Sequence, residues 1–291
     1  MGILLIFAGQ IAHLTESMIV RARSKKVDKG GFLFNAFISF FSMLLFVITD
    51  KGGIHIPKEL WVYGLISGCM YAGGFYFMFL ALKYGSFGIS KMLMTFVAVF
   101  PIVYGLAFLK EEASAFTYVG ICLAFAAVFL TNYTGKQKSE AMVDSKKWAF
   151  YMVLNILCNG GIAIITRMQQ IKFVAQCDNE FLILSLGLSF LILFGLGIYQ
   201  DVIREKRTLK EIVKDDLLYS VGVGATNGLN NLTLVNAYRF VALSVATPLK
   251  SGIGIVLSFL ASVLIFKEKF GKIQFIGMVV SVAALILLQL K

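Results

Sequence analysis

Two lysines lie inside long apolar segments of this sequence, where a charged side chain is costly. Lys250 lies about 12 Å into the segment 242–266 at the helical rise per residue, too deep for its ammonium group to reach the near end easily. Lys91 lies in the segment 86–109, close enough to the end for its side chain to extend there. Both are candidates for binding a carboxylate or phosphate. The alternatives are that Lys250 pairs with Glu16 or backbone carbonyls and that Lys91 reaches the interface.

His13 and Glu16 are the candidates for moving a proton. They are three residues apart, so in a helix they share one face. A carboxylate near a histidine in surroundings of low dielectric constant is suited to gaining and losing a proton. The alternative is that Glu16 lies near a helix end and pairs with Arg21 or Arg23.

Several amides recur at helical spacing inside apolar segments. Asn155 and Asn159 are four residues apart, as are Asn227 and Asn231. Amides donate and accept hydrogen bonds, which suits polar groups of a ligand. The alternative is hydrogen bonding between helices, which contributes about 1 kcal/mol in membranes. Tyr71 is a further candidate for lining a cavity, although aromatic residues at helical spacing usually serve packing.

The segments that hold these residues are long and apolar. Of the 291 residues, 58% are hydrophobic, and the mean hydropathy is +0.83. A helix needs about 20 apolar residues to cross a bilayer, and strands of membrane barrels alternate over about ten residues, unlike these runs. The sequence therefore predicts an all-α membrane protein. Its ten transmembrane helices are expected at residues 2–20, 32–49, 60–82, 86–109, 115–133, 148–168, 181–199, 216–238, 242–266 and 273–290.

The two halves of the chain resemble each other. Residues 108–130 match residues 265–287 at an offset of 157, which pairs Lys110 with Lys267 and Glu111 with Glu268. Further matches at an offset of 156 include Tyr63 with Tyr219, Gly68 with Gly224 and Ala81 with Ala237. This predicts a first five-helix repeat at 1–135, a linker at 136–147 and a second repeat at 148–291.

An odd number of helices in each repeat has a geometric consequence. The second repeat must enter the membrane in the opposite sense to the first. Two such inverted repeats create a pseudo-two-fold axis in the membrane plane and a cavity near its middle, which can open to either side in turn. The alternative is that duplication only built a larger bundle.

The residues 81–112 and 237–269 repeat one pattern. An Ala-rich helix end is followed by a short turn, a long helix, and a glutamate that precedes a glycine-containing last helix. This pattern resembles the ten-helix EamA-like branch of the drug/metabolite transporter superfamily, over essentially the whole chain. The resemblance implies secondary transport or exchange of metabolites through a cavity lined mainly by helices 1, 3, 4, 6, 8 and 9.

These features favour a secondary transporter of a small polar organic metabolite, anionic or zwitterionic if Lys91 and Lys250 both face inward. The alternative is proton-coupled efflux of small organic cations or drugs through Glu16. An enzyme is not expected, because the sequence has only two histidines and lacks the H-E-x-x-H and G-x-S-x-G patterns. The internal duplication argues against a channel, and the asparagines and lysines argue against a lipid-handling protein.

We expect no cofactor and no metal site. We also expect no nucleic-acid partner, because the basic residues are not interleaved with exposed aromatic residues. The expected partners are a small-molecule substrate and the lipid bilayer, and the expected state is a monomer or homodimer in a bacterial plasma membrane. Of the 27 lysines and arginines, 18 fall on one side of the predicted membrane and 7 on the other. The positive-inside rule then puts both termini outside, whereas the family resemblance implies both termini inside.

Overall fold

The protein is described by a computed structural model that covers residues 2–49, 53, 55–108, 110, 114–132, 144–173, 177–237, 240, 243–268 and 271–287. Within these residues, every regular element is a helix. The α-helices are α1 Gly2–Lys26, α2 Phe32–Thr49, α3 Leu60–Tyr84, α4 Phe87–Met94, α5 Val99–Phe108, α6 Ala115–Asn132, α7 Ser145–Phe173, α8 Asp178–Gly197, α9 Leu209–Ile212, α10 Leu218–Ala237, α11 Leu243–Leu264 and α12 Lys272–Leu287. The all-α prediction is confirmed.

Helices occupy each of the ten predicted segments, and six of the described helices are long and apolar enough to cross a membrane. These six are Gly2–Lys26, Phe32–Thr49, Leu60–Tyr84, Phe87–Phe108, Ser145–Phe173 and Asp178–Arg204. The polar connection between α8 and α10 is itself largely helical. The helix that begins with α8 continues as a π-helical turn to Arg204, and a second π-helical turn, Val213–Leu217, joins α9 to α10.

The helices group into two compact units, and each unit takes segments from both halves of the sequence. Unit 1 comprises Met1–Leu14, Tyr84–Phe150 and Asn230–Lys291, and unit 2 comprises Thr15–Lys83 and Tyr151–Leu229. These units describe packing, whereas the predicted boundary at 136–147 describes the repeat. Because residues 133–143 lie outside the described residues, that boundary stays a prediction.

In unit 1, α6 packs along α12 and α4 packs against α11. A buried cluster of Met92, Ile255 and Met278 joins α4, α11 and α12. The start of α4 is closed by the Glu268 carboxylate, which accepts hydrogen bonds from the backbone N–H groups of Phe87 at 2.7 Å and Gly88 at 3.0 Å. A buried carboxylate at a helix N-terminus satisfies N–H groups that have no partner in the helix.

In unit 2, α2 packs along α8, with Ala36 and Leu193 in the shared core. Small residues allow close approach of further helices. A Cβ atom on Gly68 of α3 would lie 2.8 Å from the Leu188 side chain of α8, and a Cβ atom on Gly224 of α10 would collide with Phe41 of α2. Such small-residue contacts are typical of helix packing in membranes.

A buried ionic cluster joins helix ends in unit 2. Asp216 accepts hydrogen bonds from Arg23 Nε at 2.8 Å and from Arg207 Nη1 at 2.5 Å, and these three side chains are 0%, 0% and 3% exposed. Asp201 accepts hydrogen bonds from the backbone N–H groups of Gly31 and Leu33 at the start of α2. Both arginines were counted among the 18 basic residues on one side of the predicted membrane, and the structure buries them in ion pairs.

Candidate functional site

Lys250 lies in the second turn of α11, in unit 1, and its side chain is half-buried. Within the described part of the chain, its Nζ atom has neither a hydrogen bond nor an ion-pair partner. One turn further along, a Cβ atom on Gly254 would lie 2.7 Å from Oε1 of Gln10, so α11 approaches α1 closely at this level. Lys250 is thus a cation in an apolar helix with no described counter-charge.

A second lysine in unit 1 contacts a histidine. Lys91 Nζ lies 3.3 Å from His13 Nε2, and both side chains are half-buried. An ammonium group has no acceptor, so the hydrogen bond requires Nε2 of His13 to be the unprotonated ring nitrogen. The contact joins α1 to α4 and brings together two residues that the sequence assigned to separate tasks.

Two buried amides in unit 1 have atoms without a hydrogen-bond partner among the described residues. These atoms are Nε2 of Gln10, whose residue is 3% exposed, and Oδ1 of Asn230, whose residue is 7% exposed. Gly9 brings α1 against α10, because its Cβ atom would lie 3.3 Å from Oδ1 of Asn230. A buried donor and a buried acceptor left unpaired are costly unless a ligand or water completes them.

Glu16 belongs to unit 2, where its Oε2 atom accepts a hydrogen bond of 3.3 Å from Nδ2 of Asn227. Both side chains are half-buried. The amide holds the carboxylate in one orientation and joins α1 to α10. Arg23, which the sequence offered as a partner for Glu16, instead binds Asp216.

The asparagines of α7 bind backbone groups in unit 2. Nδ2 of Asn155 donates to the carbonyl of Gly74 at 2.7 Å, and Nδ2 of Asn159 donates to the carbonyl of Asn155 at 2.9 Å. Asn155 therefore bonds between α7 and α3, which is the alternative that the sequence left open. Asn159 is half-buried, and Tyr71 is half-buried with its ring 6.0 Å from that of Phe75.

The sequence matches the profile of the EamA-like transporter family over residues 1–133 and 146–290. The chain belongs to the EamA-like transporter family. This is consistent with the drug/metabolite transporter superfamily, and it makes the protein an integral membrane transporter of that type. A search among curated proteins finds no match.

Solved structures have a similar fold. One crystal structure matches with a TM-score of 0.60 and 14% sequence identity, covering 98% of this chain and 95% of its own. At this identity the likeness concerns the fold alone. The family match and the fold likeness both extend over nearly the whole EamA-like chain.

The candidate residues of this EamA-like protein divide between its two units. Unit 1 holds His13, Lys91 and Lys250, and unit 2 holds Glu16, Tyr71, Asn159 and Asn227. Asn231 lies in α10, but its side chain falls outside the described residues. Because none of the comparisons tests individual residues, their roles stay predictions.

Gln10 and Asn230 were not among the site residues predicted from the sequence. Gln10 is three residues before His13, and Asn230 adjoins Asn231, so position on a helix was the available signal. The sequence could not supply the burial of these two side chains, because it depends on the close approach of neighbouring helices at Gly254 and Gly9.

A surface groove of about 620 Å³ lies elsewhere in unit 1, between α11 and α12. It contains none of the predicted site residues and is lined by Phe259, Val263, Glu268, Gly271, Lys272, Phe275 and Ile276. Exposed apolar side chains on a membrane protein face lipid, so this groove is not the candidate site. Among the residues that the structure describes, no group of three His, Cys, Asp or Glu side chains is placed to hold a metal ion.

Proposed function

We propose that this chain is a secondary transporter that moves a small anionic or zwitterionic metabolite across a membrane by alternating access. The observation that supports this most directly is Lys250, a half-buried cation in α11 with no described partner. Intramembrane charges that have no structural partner are candidates for binding substrate. Its expected role is to pair with a substrate carboxylate or phosphate.

The proposal includes ten membrane crossings arranged as two inverted five-helix repeats. In that scheme α2 corresponds to α8, α4 to α11, and α6 to α12, and each of these helices packs against its own counterpart. Lys110 and Lys267, which are paired by the sequence repeat, both adopt a left-handed backbone, with φ of 52° and 53°. Both observations are typical of repeats related by a two-fold axis and support exchange between two half-conformations.

The polar groups of unit 1 favour an anionic group on the substrate. Lys250 and Lys91 are cations, and Nε2 of Gln10, which has no hydrogen-bond partner among the described residues, is a donor. Oδ1 of Asn230 likewise has no described partner and is an acceptor, which suits an ammonium or hydroxyl group on the same ligand. Tyr71, Asn159, Asn227 and Asn231 are proposed as further substrate contacts, and His13 with Glu16 as the proton-coupling groups.

Transport measurements on reconstituted protein test this proposal. Vesicles that contain the protein are expected to take up labelled anionic or zwitterionic metabolites faster than cationic compounds of similar size. Lys250→Ala should lower that uptake roughly tenfold or more, because a hydrogen bond to a charged group contributes about 1.5–3 kcal/mol. Lys272→Ala, which removes an exposed lysine at the start of α12, is the matched control and should transport normally.

Two outcomes would reject this version. One is unchanged anion uptake by a folded Lys250→Ala protein. The other is uptake of organic cations that follows a pH gradient and is abolished by Glu16→Gln. The second result would establish proton-coupled cation efflux, a candidate that the hydrogen bond between Asn227 and Glu16 favours because it orients a half-buried carboxylate. The bacterial plasma membrane and the monomeric or homodimeric state stay predictions.

A further inference from the structure

The connection between α8 and α10 exposes apolar and basic side chains together. We call residues 204–218 the basic turn. Leu209, Val213 and Leu218 are 80%, 55% and 75% exposed, which is unusual for large apolar residues in a connection. Lys206, Lys210 and Lys214 are exposed beside them.

The basic turn is held in place by its opposite face. Ile212 is 5% exposed, Asp216 is fully buried, and Arg207 bonds Asp216 within the ionic cluster. Thr208 and Glu211 form a reciprocal capping box at the start of α9. The exposed face therefore has a fixed geometry, in which Leu209 and Val213 lie one turn apart on the helix.

The exposed charge of the basic turn is positive, because its exposed cations outnumber its exposed carboxylates. Asp216 binds two arginines, and Glu205 accepts a hydrogen bond from the backbone N–H of Gly30. Glu211 caps α9 but is exposed and ionised, because the hydrogen bond from the Thr208 backbone holds its pKa below the usual value. Three lysines and Arg204 stay exposed to the surroundings.

The basic turn follows a membrane-spanning helix directly. Asp178–Arg204 has the highest hydropathy of the six long helices, 2.5, so its end at Arg204 lies at a bilayer surface. Apolar side chains exposed at that level of a membrane protein generally contact acyl chains near the headgroups, and lysine side chains there can reach lipid phosphates. A soluble acidic partner or free phosphate would leave the apolar side chains in water.

We propose that the basic turn binds the headgroups of anionic phospholipids in the surrounding bilayer. Lys206, Lys210 and Lys214 contact the phosphates, while Leu209 and Val213 insert among the adjoining acyl chains. Because Arg207 and Asp216 belong to the same turn, bound lipid also stabilises the ionic cluster of unit 2. The surface is independent of the proposed transport site.

A lipid titration of the purified full-length protein in neutral detergent tests the proposal. Added phosphatidylglycerol should raise the Tm until the effect saturates, which gives a half-saturating lipid concentration, and phosphatidylcholine should not raise the Tm. In the triple variant K206Q/K210Q/K214Q, the half-saturating concentration of phosphatidylglycerol should increase by roughly fivefold for each lysine removed. The triple variant K58Q/K146Q/K272Q removes the same number of exposed lysines elsewhere and should titrate like the unsubstituted protein.

A second pair of measurements separates lipid from other anions. The variant L209S/V213S keeps all charges and should also bind phosphatidylglycerol more weakly, whereas inorganic phosphate should give no comparable rise in Tm. The proposal is overturned if the two triple variants titrate alike, or if inorganic phosphate stabilises the protein as well as the lipid does. If the triple variant fails to fold, the single variant K210Q is compared with K146Q in the same way.

Discussion

A single buried carboxylate organises the start of one membrane helix. Glu268 is 5% exposed, and it accepts hydrogen bonds from two backbone N–H groups of α4 and from the hydroxyl groups of Ser86 and Ser262. Each of these buried donors would lose its hydrogen bond to Glu268 if the carboxylate were absent. Because unpaired buried donors are costly, this residue fixes α4, which carries Lys91, relative to α11 within unit 1.

Glu268→Ala should therefore lower the free energy of unfolding by about 2–4 kcal/mol, through loss of hydrogen bonds to a charged group and desolvation of the donors left behind. Chemical unfolding in detergent, followed by tryptophan fluorescence, measures the change. Glu59→Ala removes an exposed glutamate and should have little effect. Equal stability of the two variants would contradict the capping role of Glu268.

At the level of elements, the ionic cluster of unit 2 ties together helix ends that are far apart in sequence. Arg23 closes α1, Asp216 precedes α10, and their side chains are fully buried. Arg23 also donates to the carbonyls of Val27 and Lys29 in the α1–α2 connection, and its guanidinium lies over the Phe34 and Phe79 rings. The buried charge of Arg23 thus depends on a carboxylate that immediately precedes another helix.

Asp216→Leu should be strongly destabilising, by about 3–5 kcal/mol, because it leaves two buried guanidinium groups without their carboxylate. Thermal and chemical unfolding in detergent measure the loss. Replacing Arg23, Arg207 and Asp216 together by apolar residues should recover much of it, since no charge is then left unpaired.

The control for this cluster is Asp28, which is 97% exposed in its ion pair with Lys83. Asp28→Ala should change stability little, because exposed ion pairs contribute about 0–1 kcal/mol. If Asp216→Leu proved as mild as Asp28→Ala, the cluster would not be holding the helix ends together.

Hydropathy and repeat pattern were enough to predict the helices, and family resemblance was enough to predict the transporter class. These depend on local composition along the chain. Hydropathy also marked Lys91 and Lys250, because a charge in an apolar run is visible in the sequence. The partnership of Lys91 with His13 and the burial of Arg23 were not predictable, since each contact joins helices whose packing the sequence pattern leaves open.

At the level of the whole molecule, the distribution of apolar surface indicates a bilayer as solvent. Large apolar side chains are exposed on helices of both units, including Leu191 at 63%, Phe150 at 61% and Val279 at 52%. Buried positions hold serines and amides, such as Ser185, Ser189 and Asn155. Apolar surface of this extent is tolerated where lipid replaces water.

Orientation in that bilayer follows from lysine and arginine in the connections. The positive-inside rule assigns the side with 18 basic residues to the cytoplasm, which puts the connection after α8 inside and the one before it outside. The arrangement implied by the family resemblance is the reverse. The two residues that distinguish these orientations are Lys172, before α8, and Lys206, after it; both are exposed.

Cysteine accessibility should decide between the orientations. In a background with Cys69, Cys122, Cys158 and Cys177 replaced by serine, Lys172→Cys should react with a membrane-impermeant maleimide in intact cells. Lys206→Cys should react only after the cells are opened, because the basic connections follow the positive-inside rule. The reverse labelling would reject this orientation and restore the one implied by the family. Equal labelling of both positions in intact cells would contradict a membrane crossing by Asp178–Arg204, and with it the odd number of helices in each repeat.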